Sequence, residues 1–280
     1  MQLSILIRNL NQAAQLEKTL QAIMLQQANF DYEVVVVDNE SDDRSVEVAH
    51  TYNCRVITLP RKDFSYGKAL NIGITECQGK LILLLSAHVM LMSNDFLQRI
   101  PPYFSDADVA FIRPVNIRRP HEVAASMQPG KLAAPAHTEG SVFLQFAAKN
   151  WQHMLIANCS VLRRNAALEV PFNETIEANE DKLWTLEVLR KGYSGLYQVP
   201  LYFLYFKGLG NRQRFDVDLK ELKTKSEILG SGPYAGARIT FLLRSLLFAL
   251  RAHVPIILNE IRMAWKTSSL AKMHKSKYLQ

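Results

Sequence analysis

Five short apolar runs, separated by stretches with helical spacing, set what the first 113 residues can fold into. Leu3 to Ile7, Tyr32 to Val37, Arg55 to Leu59, Lys80 to Leu85 and Asp108 to Ile112 are five or six residues long. They are rich in leucine or β-branched residues, as strands buried on both faces are. Between the first two, Leu16, Leu20, Ile23 and Met24 fall at i, i+4, i+7 and i+8, one face of a helix. Asp43 to Tyr52, Gly67 to Cys77 and Asn94 to Phe104 supply further helical patterns. A β-α-β-α series of this kind predicts an α/β class: a mostly parallel, Rossmann-like sheet flanked by helices.

Residues 114–140 hold Arg118-Arg119-Pro120 and no sustained period, which predicts a long loop. Met154 to Leu162 reads as a buried strand, and Asn179 to Arg190 as a helix with Asn179 as its N-cap and Leu183, Trp184 and Leu186 inward. Gly195 to Phe206 is apolar and aromatic, the pattern of a strand pair closing the domain. From Asp216 onward the pattern is helical, with Gly230-Ser231-Gly232-Pro233 as a hinge. The expected division is one α/β domain over residues 1–214 and a helical extension over 215–280.

Charge placement says more than its total. The chain carries a formal +7, and residues 231–280 hold eight Lys or Arg against Glu260 alone, so the first 230 residues are net neutral. A nucleic-acid-binding body, which needs basic charge over its working surface, is excluded on that ground. Cys54, Cys77 and Cys159 are widely spaced, which suggests neither a disulfide framework nor a structural zinc site. The N-terminus enters an apolar run at once, without a basic leader region. A cytoplasmic protein is expected.

In an open parallel sheet ligands bind outside the carboxyl ends of the strands. Val34 to Val37 are followed by Asp38-Asn39-Glu40-Ser41-Asp42-Asp43. A carboxylate at Asp38 can accept from the N3–H of a pyrimidine, and the amides and the Ser41 hydroxyl can cap the next helix; capping alone is the competing reading. Between the third and fourth strands stands Asp63-Phe64-Ser65-Tyr66-Gly67-Lys68-Ala69-Leu70-Asn71-Ile72-Gly73. There Gly67 permits close backbone approach, Lys68 can meet phosphate and Asn71 lies one turn along the same face, although a plain helix start reads equally well. A P-loop is rejected, because Gly73 to Lys80 has the wrong spacing and is followed by Leu81; a dinucleotide fingerprint is absent after the first strand.

Ser4-Ile5-Leu6-Ile7-Arg8-Asn9, Val34 to Asp43, Gly67 to Gly73 and Gly79 to Leu85, in this order and spacing, resemble the family-2 glycosyltransferases, inverting enzymes of the GT-A fold. The resemblance covers roughly residues 3–205. It implies transfer of a sugar from a nucleotide-diphosphate donor, with Asp38 on the base, Arg8 or Asn9 beside it, and Lys68 and Asn71 near the ribose and diphosphate. UDP- or dTDP-sugars fit the N3–H argument. It further implies a glycan or lipid-linked acceptor in bacterial surface polysaccharide synthesis.

The family usually ends its fourth strand in Asp-x-Asp, whose last carboxylate holds a divalent metal. Here Ser86-Ala87-His88 stand in its place. Three readings stay open. His88 binds a divalent cation with Mn²⁺ favoured over Mg²⁺; cations such as Lys62, Lys207, Arg212 or Arg214 stabilise the diphosphate without metal; or the site has decayed, leaving a silent nucleotide-sugar-binding or scaffold subunit. The family's acidic pair at a helix start matches Glu180-Asp181. First-turn carboxylates are favoured by the helix dipole in any case. By the resemblance Asp181 is the base that takes the acceptor's proton, and Glu180 positions the acceptor.

In the tail Arg244, Arg251, Arg262 and Lys266 fall on one helical stripe with apolar residues on the other faces, and Pro255 interrupts. Such a segment suits the surface of an anionic cytoplasmic leaflet, or packs on the protein or a second subunit.

Overall fold

The computed structural model describes residues 1–117, 128–135, 139–206, 211–230 and 261–263, with side chains in the 211–230 stretch from Asp216 onward. The chain forms two compact units. One comprises Met1–Ala136, Asn150–Thr175 and Glu180–Lys207, the other His137–Lys149, Ile176–Asn179 and Gly208–Gln280.

The first unit is built on a nine-stranded sheet. Its parallel half is β1 (Leu3–Asn9), β2 (Tyr32–Asp38), β3 (Arg55–Thr58) and β4 (Leu81–Ser86), ordered β3-β2-β1-β4. Leu3, Ile5, Leu6 and Ile7 of β1 are all buried, as are Leu81 to Leu85 of β4, which is why these runs are apolar throughout instead of alternating. Each such side chain contributes about 1.5–3 kcal/mol of transfer free energy. The helices α1 (Ala13–Met24), α2 (Ser45–Thr51) and α3 (Tyr66–Glu76) connect them. The inward face of α1 is Leu16, Thr19, Leu20 and Ile23. Met24, expected on that face, is exposed; Thr19 takes the place, its hydroxyl donating to the Ala87 carbonyl at 3.1 Å.

The second half of the sheet is mixed. It contains β5 (Val89–Leu91), β6 (Val109–Asn116), β7 (Gly130–Ala133), β8 (Cys159–Arg163) and β9 (Ser194–Tyr205). Strand β8 is antiparallel to both β4 and β6, so β4 and β6 point the same way. Strand β9 is parallel to β6 and antiparallel to β5 and β7. The expected strand pair at 195–206 is therefore one twelve-residue strand. Its positive φ at Gln198 and its shifting register against β6 let one strand serve three partners.

The helix expected over Asn94 to Phe104 is a series of turns ending in a 3₁₀ turn, Pro101–Phe104. Two consecutive prolines remove the N–H groups an α-helix would need. The helical spacing still has a physical cause, since Phe96, Leu97 and Ile100 all face the core. The remaining helices of this unit are α5 (Arg164–Glu169) and α6 (Glu180–Arg190), numbered after α4 (Gly140–Asn150). Leu183, Trp184 and Leu186 of α6 are buried, and the Trp184 indole lies flat on Phe172 at 5.2 Å.

The second unit contains most of α4, which buries Phe143 and Ala147, and α7 (Asn211–Leu229). Asn179, which directly precedes α6, has φ 60° and donates its amide to Glu221 O and Thr224 Oγ1 on α7, both at 2.8 Å. Among the described residues no helix is long and apolar enough to cross a membrane.

Candidate nucleotide-sugar site

Because β1, β2, β4 and β6 share one direction, Asn9, Asp38, Ser86 and Asn116 end at one edge of the sheet. Asp38 and Asn9 are paired across β1 and β2, and Asp38 is buried there. Its carboxylate accepts from Asn9 Nδ2 at 2.8 Å, Ser41 N at 2.8 Å and Ser41 Oγ at 2.6 Å. A carboxylate offers about four acceptor sites, so one remains for a ligand donor such as an N3–H. Asn9 Oδ1 and Asn39 Oδ1, buried beside it, have no partner among the described residues. Burying an amide oxygen unpaired costs about 1–3 kcal/mol, which a bound donor group would offset.

The turns leaving these strands are also held by Asn11 and Arg61, which the sequence did not single out. Ser41 Oγ also accepts from Asn11 N at 2.9 Å. Asp43 accepts from Ala13 N at the start of α1 and from Ser45 N at the start of α2, joining the two helices. Burial works against ionisation there, but the hydrogen bonds from Ser45 and Ala13 prevail and hold this carboxyl below its usual range. Arg61 pairs with Asp42, donates to Glu40 O at 2.6 Å, and gives its own N–H to Glu40 Oε2 at 2.9 Å. Asn11 and Glu40 both have positive φ, 51° and 54°, a conformation that costs non-glycine residues free energy and gathers at functional sites. An Asn two residues past a strand was a readable hint. Arg61 carried none.

On α3 the helix-start reading is the observed one, since Ser65 Oγ caps it by accepting from Lys68 N at 3.1 Å. Two expectations change here. The space at Gly67 is filled by the chain itself, because a Cβ there would lie 2.1 Å from the Asn173 carbonyl oxygen. Asn71 spends its amide on the same segment: Nδ2 donates to Phe172 O and Glu174 Oε1, both at 2.9 Å, and Oδ1 accepts from Phe172 N at 2.8 Å. These residues dock residues 172–174 onto α3, and Lys68 is the half-buried cation of the helix start.

At the end of β4, Ser86 N donates to Asn158 O at 3.0 Å. His88 is buried, with Nδ1 2.5 Å from Gln12 Oε1 and its ring edge-on to Tyr205 at 4.8 Å. The amide oxygen can only accept, so Nδ1 donates to it. Among the described residues no three His, Cys, Asp or Glu side chains gather as a metal cage. A single imidazole in place of a carboxylate does not fit the oxygen-rich shell that Mg²⁺ requires.

The acidic pair opens α6. Glu180 is buried and receives Arg8 Nη1 at 3.3 Å, while the Arg8 guanidinium rests over the Tyr66 ring at 5.3 Å. Burial, with Asp181 as a neighbouring charge, pushes the Glu180 carboxyl above its usual range, and Arg8 pulls it partly back. Asp181 accepts from Ala157 N at 3.0 Å through Oδ2 and from Lys182 N at 2.7 Å through Oδ1, so two backbone N–H groups fix its orientation. Lys182 is buried too, donating to Leu155 O at 2.7 Å.

The structure thus brings Arg8, Asn9, Asp38 and Ser41 to the ends of β1 and β2, and joins Arg8 to Glu180. Lys62 is exposed. Lys207, Arg244, Arg251 and Lys266, and the side chains of Arg212 and Arg214, lie outside the described residues. Of the basic stripe only Arg262 is described, exposed beside a buried Met263.

The fold is shared with known proteins. A mannosyltransferase of Pyrobaculum calidifontis, solved with GDP-Man and Mn²⁺, superposes with a TM-score of 0.60 at 16% identity, covering 96% of this chain and 73% of that one. TarS 1-349 of S. aureus, solved with UDP-GlcNAc, gives 0.58 at 15% identity over 97% and 82%. The cellulose synthase 1 catalytic subunit [UDP-forming] of Komagataeibacter xylinus is 25% identical over 232 residues, 78% of this chain and 31% of that protein, so the chain spans about a third of that relative. The profile of Glycosyl transferase family 2 matches residues 4–170, more than half the chain. With the GT-A fold in place and that match running from β1 through α5, the chain belongs to glycosyl transferase family 2.

Proposed function

We propose that the protein is an inverting glycosyltransferase that moves a sugar from a UDP- or dTDP-sugar to a hydroxyl of a glycan or lipid-linked acceptor. The observation that carries this reading is the Arg8–Glu180 contact, which joins the Asn9–Asp38 end of the sheet to the carboxylate pair of α6. Asp38 and the Asn9 and Asn39 oxygens, which have no partner among the described residues, take the donors of the base. Arg8 stands beside them, and Lys68 supplies positive charge on the diphosphate side. Asp181 takes the proton from the acceptor hydroxyl as its oxygen attacks the anomeric carbon; the bond from that carbon to the diphosphate breaks, and the nucleoside diphosphate leaves with inversion. Glu180, held by Arg8, positions the acceptor.

Among the described residues the end of β4 builds no carboxylate cage, so the transfer is written without a metal; a divalent cation bound there would be held by His88 and would add positive charge at the diphosphate. The basic stripe of residues 244–266 is assigned to an anionic membrane surface on the cytoplasmic side, where a growing surface glycan would be met. Deleting residues 231–280 is expected to release the protein from the membrane fraction without abolishing nucleotide binding.

The test is nucleoside diphosphate release from a panel of sugar nucleotides, with thermal shift by UDP and dTDP alongside. Asp181→Asn should abolish transfer and leave the nucleotide-induced shift intact; undiminished turnover would remove Asp181 from its role. Nucleotide binding without turnover in the native chain, under every donor and membrane extract tried, would favour the silent-subunit reading.

A further inference from the structure

A cavity of about 440 Å³ opens at the carboxyl end of β6, lined by Arg113, Asn116, Gln152, His153, Tyr197 and Gln198 among others. That volume falls within the ~300–1,000 Å³ of small-molecule clefts. A larger one, about 620 Å³, involves Glu187 and Arg190, roughly 10 Å along α6 from Glu180, and is remote from the chemistry. The smaller cavity is fastened to the carboxylate pair. Its wall at 152–156 continues into Ala157, whose N–H Asp181 accepts. Arg113 and Lys182 both donate to the Met154 carbonyl, at 3.1 and 3.3 Å.

Apart from Arg113, the described lining carries no charged side chain at neutral pH. His153 and Tyr197 are stacked at 4.0 Å and 28°, forming an aromatic platform. Burial and the Arg113 charge hold the imidazole below its usual range, so the platform is uncharged at neutral pH. Around it stand the amides of Gln152, Gln198 and Asn116, and Asn116 Oδ1 is buried with no partner among the described residues. Gln198 has φ 54°, a strained conformation for glutamine that places its exposed side chain at the rim. Among the described residues lining the cavity the one cation, Arg113, already donates to backbone carbonyls of Gln152 and Met154, which argues against an anion. A pyranose matches this set: its C–H face is apolar, and its hydroxyl edge both donates and accepts.

We propose that this cavity is the acceptor subsite and takes a neutral pyranose residue, its ring on the His153–Tyr197 pair and its hydroxyl edge on Gln152, Gln198 and Asn116, with the attacking hydroxyl toward Asp181. This rests on the transferase reading and narrows its acceptor to a glycan whose terminal residue is an uncharged sugar.

The experiment uses the full chain and needs no turnover. Saturation-transfer NMR is run with methyl pyranosides of glucose, galactose, mannose, N-acetylglucosamine and rhamnose, and thermal shift with UDP and dTDP runs in parallel. At least one glycoside should bind, and Gln152→Ala and Gln198→Ala, both at exposed positions, should each weaken it about tenfold while the nucleotide shift is unchanged. Tyr197→Leu should abolish binding; because Tyr197 packs over Gly130, the two glutamine variants carry the test if it fails to fold. Nucleotide binding with no glycoside binding, or glycoside binding indifferent to the glutamine variants, overturns the subsite and leaves the transferase reading standing. Glycoside binding that depends on the glutamines with no nucleotide shift keeps the subsite and removes the donor reading.

Discussion

Arg8 on β1 and Glu180 at the start of α6 form an ion pair at 3.3 Å across 172 positions of sequence, with side chains only 18% and 8% exposed. Removing one partner of a buried pair leaves the other charge uncompensated, at a cost of up to about 3–5 kcal/mol. The pH dependence follows from the direction of the Glu180 shift. A carboxyl raised above its unfolded value binds protons more tightly when folded, so its contribution to stability falls as pH rises through the folded pKa. Without Arg8 that pKa climbs further. Arg8→Gln should therefore be more destabilised at pH 8 than at pH 5 in urea melts, and the double variant Arg8→Gln/Glu180→Gln should regain much of the loss. Equal losses at both pH values, or strict additivity, would refute the coupling.

Gly67 separates a structural demand from a ligand demand. An alanine Cβ would sit 2.1 Å from the Asn173 carbonyl oxygen and 2.7 Å from its carbon, and backbone cannot swing aside as a side chain can. Gly67→Ala should lower stability by about 1–3 kcal/mol, the range for overpacking, read as a drop in Tm. Asn71→Ala, which strips three hydrogen bonds from the same segment, should act in the same direction. If Gly67→Ala instead kept its Tm and lost nucleotide affinity, the glycine would be serving the ligand.

How much of this was legible follows from where the forces are local. The parallel half of the sheet could be read because β1, β2 and β4 are buried on both faces, and burial writes itself as unbroken apolar runs. Strands β5 and β7 are three and four residues long and leave no such trace. Asn94 to Phe104 misled because apolar spacing reports which residues face the core, not which backbone bonds can form. At the site, Asp38, Ser41 and Arg8 were legible from strand ends and family order. Asn71 and Gly67 were placed on the right helix but serve residues 172–174, a contact more than a hundred positions away that spacing cannot reveal. The His153–Tyr197 platform is invisible in sequence for the same reason.

His88 offers a single imidazole, with Nδ1 committed to Gln12, where the family's metal carboxylate would stand. An imidazole nitrogen suits Mn²⁺ better than Mg²⁺. Turnover should therefore persist in chelator at a reduced rate, rise more with Mn²⁺ than with Mg²⁺, and lose that preference in His88→Ala. Full activity with Mg²⁺ and complete loss in chelator would contradict the assignment.

Glu187, about two turns along α6 from Glu180, gives a stability test that the site does not touch. Burial raises its carboxyl, and Arg190 only partly compensates. Between the unfolded and folded pKa values the folded chain holds the extra proton, so stability falls as pH rises through that window and then levels off. Glu187→Gln removes this dependence while keeping size and shape. Its Tm relative to the native chain should be near zero difference at about pH 3, below the carboxyl's unfolded range, and should become positive by about pH 7.5. Taking the difference between two chains cancels the titration of every other group that does not couple to Glu187. Transferase turnover should be unaltered, because Glu187 lies roughly two turns beyond Glu180. A variant less stable than the native chain at pH 7.5 would mean that attraction to Arg190 outweighs the burial of the charge.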